Sequence, residues 1–193
     1  LEEYFLLPYD FFNLKCLYKG MMKGEVFENL KLYSYGVLDR EKLKKLFQGE
    51  ETGVLHPVLQ NAMKAFDQDL NSKSPFESDL LWDKYLHQFY LAQAQKLGSD
   101  YLLKIHSLKI DLLNILNLFR LKSFDKDYRV YEKVFIPGGK LEIYVLSDLY
   151  KEEPDVIAGK LSYLDYAERI KKGLENYRKS GRFEMINKFI RLY

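Results

Sequence analysis

Two stretches of the chain, "DFFNLKCLYK" from Asp10 and "DLLNILNLFR" from Asp111, share one polar punctuation inside otherwise apolar runs. Each has an Asp, an Asn three residues on, and a cation nine residues on, Lys19 in the first and Arg120 in the second. A carboxylate in such a setting serves either as an acid or base in a cavity or as a hydrogen-bonded tie in a scaffold. At about 100° per residue, the Asp and Asn of each stretch lie about 60° apart on one helical stripe, and the cation lies about 180° from the Asp. Acid and cation therefore cannot pair within their own helix. Each acid needs a neighbouring helix, a cap or water, and a buried carboxylate is costly unless hydrogen-bonded, so a polar clasp between helices is the favoured role. No partner base accompanies either Asp.

Other residues with chemical potential carry weaker signals. Asp79, Asp83 and His87 recur at i, i+4 and i+8 and could offer oxygen and nitrogen ligands to a divalent metal. Further ligands are not identifiable, so a solvated helix face is the simpler reading and no metal site is assigned. "IPGGK" lacks the spacing of a phosphate-binding loop and reads as a turn containing Gly138 and Gly139, which argues against direct nucleotide binding. His56 and His106 have no nucleophile at a useful spacing. The single Cys16 allows no internal disulfide and no CxxC motif, which fits a reducing compartment. "RIKKGLENYRKSGR" is locally basic and reads as a solvated helix with a loop at Ser180 and Gly181.

The elements that must position these groups are helical almost throughout. Apolar residues recur at helical spacing around Leu43, around Leu81, Tyr85 and Phe89, and around Leu112, Ile115 and Phe119. Asp39 suits a helix cap supported by Glu41, and "SKSP" suits a helix start. Gly, Pro and Ser gather at the breaks "KGMMKG", "SYGVLDRE", "QGEETGVLHP", "NSKSPFESD", "KLGSD", "IPGGK" and "KEEPDVIAGK". The repeat is longer than the motif: a long helix, a connector, a glycine-containing turn and a second helix occur twice. Aligning Asp10 with Asp111 brings Gly36 within two or three residues of Gly138 and Gly139. The expected organisation is all-α, with one helical bundle over residues 1–73 and a second, plus the start of a further helical segment, over 74–193.

Composition narrows the function classes. A chain of 193 residues with 47% hydrophobic and 16% aromatic residues can bury a substantial core. A formal charge of only +2 gives no field suited to nucleic acid or to an anionic membrane. No apolar run approaches the roughly 18 residues of a membrane span. The chain opens at Leu1, and Ile186, Phe189, Ile190 and Tyr193 still follow helical spacing at its end, as in the middle of a longer protein.

The blocks "LPYDFFNLKCLYKG", "SYGVLDREKLKKL", "DLLWDKYLHQFYLAQAQ", "KIDLLNILNLFRLK" and "VFIPGGKLE", in this order and spacing, resemble the C subunits of the V-type and archaeal-type rotary ATPases, to which the vacuolar d subunits are related. The resemblance covers nearly the whole chain, which looks incomplete at both ends beside the family. It implies a funnel of three related three-helix bundles that sits on the membrane rotor ring and receives the central axle, which is built from the D and F subunits. It further implies a non-catalytic, peripheral part on the cytoplasmic side of the membrane that transmits torque in a proton or sodium pump, without a cofactor. Asp10, Asn13, Asp111, Asn114, Arg120, Gly138 and Gly139 carry over as structural positions. Lys19 departs from the Arg of the second copy, which weakens any bidentate pairing there. The competing reading is a helical metal-dependent hydrolase with a carboxylate-lined cavity, which would require several of the acids to converge.

Overall fold

The computed structural model describes residues 2–50, 52–69 and 74–180. Among them the regular elements are all helices and no strand occurs, in agreement with the all-α expectation. Residues 71–73 of the "NSKSPFESD" break, Gly181, and the helical spacing at Ile186, Phe189, Ile190 and Tyr193 lie outside the described residues.

The chain forms two compact units, Leu1–Gly98 and Ser99–Tyr193. The sequence places the division at 73/74, and the difference has a physical cause: α4 (Pro75–Lys96) packs along α1 (Glu2–Lys23) more extensively than any other helix pair does. The break before α4 is a connection within the first unit. Gly98, with φ of 61°, terminates α4 and ends that unit.

In unit one, Glu2 and Glu3 in the first turn of α1 and Lys23 in its last complement the helix dipole. A 3-10 turn at Phe27–Asn29 leads into an irregular, bent strip over 33–38 and then α2 (Arg40–Gln48). Asp39 caps α2 by accepting from the Lys42 N–H at 2.8 Å, and Gly49, at φ of 74°, closes it. Then follow α3 (Pro57–Asp69) and α4. Leu7, Phe11, Leu14 and Leu17 of α1 recur three or four residues apart and are all buried. Across from them Trp82 of α4 stacks on Phe66 of α3 at 5.0 Å, with Tyr18 edge-on to Phe66 at 4.7 Å.

Unit two is built around α5 (Asp100–Ser123), capped by the Ser99 hydroxyl, which accepts from the Leu102 N–H. Ile110, Leu112, Ile115, Leu116, Leu118 and Leu121 bury it around its circumference, so it is a central helix, unlike a surface helix with one apolar stripe. Short helices surround it: α6 (Tyr128–Val134), capped by Asp127, α7 (Ile143–Tyr150), α8 (Pro154–Lys160) and α9 (Ala167–Ser180). Between α6 and α7 runs a second irregular strip, 136–141, bent throughout 137–141.

Trp82 is the only tryptophan, and its stacking on Phe66 makes it a reporter of unit one. Phe66→Ala is expected to lower the stability of that unit by about 3–5 kcal/mol. A urea titration followed by tryptophan emission checks this. An unchanged midpoint would mean that the stack contributes nothing.

Candidate functional site

The repeated Asp-x-x-Asn motifs build the same object twice. In unit one, Asp10 Oδ2 accepts from the Val37 N–H at 2.8 Å, and Oδ1 accepts from the Leu38 N–H at 3.0 Å. One turn further along α1, Asn13 Oδ1 accepts from the Tyr33 N–H at 2.8 Å, and Asn13 Nδ2 donates to the Tyr33 carbonyl at 3.1 Å. In unit two, Asp111 accepts from the Lys140 and Leu141 N–H groups at 3.1 and 2.9 Å. Asn114 accepts from the Ile136 N–H at 2.9 Å and donates to the Ile136 carbonyl at 2.8 Å. All four side chains are fully buried. Each long helix thus grips a bent, irregular strip through hydrogen bonds to its backbone.

The clasp differs from the sequence expectation in its partner. The acids meet backbone amides of the glycine-containing strip, where a polar group on a neighbouring helix was the more obvious candidate. An amide carries a Cα–Cβ bond beside it, and this sets the need for glycine. A Cβ on Gly36 would run into Asp10 Oδ1 and stand 3.0 Å from the carboxyl carbon. A Cβ on Gly139 would run into Asp111 Oδ1 and stand 2.9 Å from its carboxyl carbon. Gly36 also has φ of 133°, whereas in unit two the positive φ, 105°, belongs to Gly138. Two glycines there divide the demands that Gly36 meets alone.

The hydrogen bonds also fix the register. Val37 lies 27 residues after Asp10, and Lys140 lies 29 after Asp111. Gly36 therefore corresponds to Gly139, with two extra residues in the second connector. The shared Gly-x-Leu of "GVL" and "GKL" is the sequence signal that selects this register.

Burial raises the Asp10 carboxyl above its ordinary range despite the opposing pull of the Val37 and Leu38 amides. The Tyr166 phenol is buried beside Asp111, and burial together with that carboxylate pushes its ionisation far up. Asn117, one turn beyond Asn114, is also buried, and its Nδ2 has no acceptor among the described residues. Arg120 stands at the end of α5, half-exposed and outside the clasp, where its carbonyl accepts from the Ser123 hydroxyl. Lys19 donates to Asp79 at 3.1 Å.

Asp79 and Asp83 are not on a solvated face. Lys15 of α1 donates to Asp83 at 2.7 Å and lies 3.8 Å from Asp79, and with Lys19 it laces α1 to α4. Sequence could not reveal this without knowing which helix packs on α4. Among the described residues no group of three or more His, Cys, Asp or Glu side chains could hold a metal ion. Asp79 and Asp83 face lysines, while Asp10 and Asp111 face amides in separate units. His106 is buried in α5, and burial, then the Lys109 charge, hold its protonation down at about 4. No helix among the described residues is long and apolar enough to cross a membrane.

Comparison with known proteins gives one decisive match: residues 1–191 fit the family described as ATP synthase (C/AC39) subunit. The chain belongs to that family. Its members are components of the rotary ATPases, and the resemblance carried by the sequence blocks is the one the match shows. No curated protein and no solved structure matches.

The geometry makes the clasp testable by substitution. Asp111→Ala is expected to lower stability by about 1–3 kcal/mol, because two buried amides lose their acceptor. Gly139→Ala is expected to be destabilising in the native background but much less so in Asp111→Ala, since the severe clash of its Cβ is with the carboxylate that has been removed. A urea double-mutant cycle reads this coupling, and additive effects would contradict the clasp. A separate expectation concerns acid. His106 resists protonation in the folded state relative to an ordinary value of 6.5, so its contribution is present above that pH. As pH falls from 6.5 towards about 4, stability should drop with a slope of about 1.4 kcal/mol per pH unit, and His106→Gln should remove that component from the pH profile.

Proposed function

We propose that this chain is a non-catalytic connector of the central stalk of a V/A-type rotary ATPase. It links the membrane rotor ring to the axle of D and F subunits on the cytoplasmic side and transmits torque between them. Family membership supports a place in the rotary complex. The observation that carries the mechanical reading is the pair of buried backbone clasps. A part that passes torque must resist shear between its helices and the loops that join them. Directional hydrogen bonds in a low-dielectric interior resist such sliding better than apolar contacts, which are non-directional. The acids of the motif are occupied in holding that scaffold, and a connector needs no cavity chemistry.

Calorimetric titration against the purified D–F axle is expected to show saturable binding, and titration with ATP is expected to show none. Gly139→Ala, which disturbs the clasp, should weaken axle binding if the clasped shape is what the axle meets. Absence of axle binding by the native chain would count against the connector role, and ATP binding would count against a non-catalytic one.

A further inference from the structure

The starts of α1 and α3 and the end of α4 meet at one polar junction in unit one. Glu3, in the first turn of α1, has Oε1 at 3.4 Å from His56 Nε2. Gln93 Nε2 donates to Glu3 Oε2 at 3.5 Å, and Lys96 Nζ lies 3.9 Å from it, both from the last turns of α4. His56 immediately precedes α3, whose first residue, Pro57, has no N–H. The first amide of α3 that needs a partner is therefore that of Val58, and it donates to His56 Nδ1 at 3.3 Å. This bond decides the tautomer. Nδ1 must present a lone pair to Val58, so the ring proton sits on Nε2 and is donated to Glu3.

We propose that His56 is a pH-sensitive junction in which one nitrogen caps α3 and the other binds α1. Uptake of a second proton at Nδ1 turns the acceptor into a donor facing the Val58 N–H, and the cap on α3 is lost. The same proton strengthens the attraction of the ring for Glu3. Acid therefore loosens the first turn of α3 while tightening the bond from His56 to α1. The charged groups facing the ring are Glu3 from α1 and, acting on Glu3, Lys96 from α4; Asp10 of α1 also feels the His56 charge. The His56 bond, followed by the Lys96 charge, holds the Glu3 carboxyl below the usual carboxylate range. The device is independent of the connector role.

Nitrogen NMR of the intact chain reads the ring tautomer, and amide exchange at Val58, corrected for the intrinsic rate, reads the cap. The neutral ring is expected to carry its proton on Nε2. Followed from about pH 8 to about pH 5, Val58 protection is expected to fall about fivefold, the factor that one capping bond is worth. His56→Asn, whose side-chain oxygen caps a helix without titrating, should retain the protection and remove its pH dependence. A proton on Nδ1 of the neutral ring, pH-independent protection in the native chain, or the same pH dependence in His56→Asn would each overturn the proposal.

Discussion

A carboxylate and a carboxamide fully buried one turn apart on an apolar helix must have their polar atoms satisfied inside the protein, because water is excluded and the motif's own cation lies on the opposite side of its helix. Backbone groups are the partners that can approach closely enough without bringing a charge of their own. Once the bent strip supplies them, the rest of each unit is constrained. The strip must run beside the helix with its amides turned inward, a glycine must stand where a Cβ would strike the carboxylate, and the flanking helices must begin where the strip lets them. In unit one α2 starts two residues after the last clasped amide, at Arg40; in unit two α7 starts two residues after it, at Ile143. The matching offset is a consequence of one clasp used twice.

Because the grip is on the backbone, side chains along the strip are free to differ. Tyr33, Tyr35 and Val37 project to the surface in unit one, where Tyr9 packs edge-on against Tyr33. The equivalent positions in unit two are Ile136, which is buried, and Gly138 and Lys140, which are exposed. One scaffold can thus present an aromatic surface in one copy and a small, basic one in the other without loss of the hydrogen bonds that hold it. For a family whose members belong to a rotary complex, this separates the residues that keep shape from those that can be fitted to neighbours.

The all-helical class was legible in sequence because it depends on local periodicity, and the repeated spacing that marks Asp10, Asn13, Asp111 and Asn114 can be read directly. What they bind was not, since an amide has no sequence signature and only the Gly-x-Leu pairs hinted at it. The Lys15 and Lys19 pairs with Asp79 and Asp83 were hidden for a related reason. Residues sixty or more apart were joined by the packing of α4 on α1, which helix periodicity does not specify. The same packing moved the boundary from 73/74 to Gly98 and Ser99. Solvation was the wrong expectation for those acids because a helix face that is polar in isolation can still be covered by lysines from a neighbour.

The central claim is that two buried side chains hold each strip by its backbone. Amide hydrogen exchange on the native chain tests it most directly at Tyr33, Val37 and Leu38 in unit one and at Ile136, Lys140 and Leu141 in unit two. These six amides lie outside any helix ladder, so only the clasp can protect them. The expected result is exchange as slow as that of the buried helical amides of the same unit, with Ser34 and Tyr35 between them exchanging fast. Exchange of all six at the rate of open loops would contradict the clasp and the account of the fold built on it.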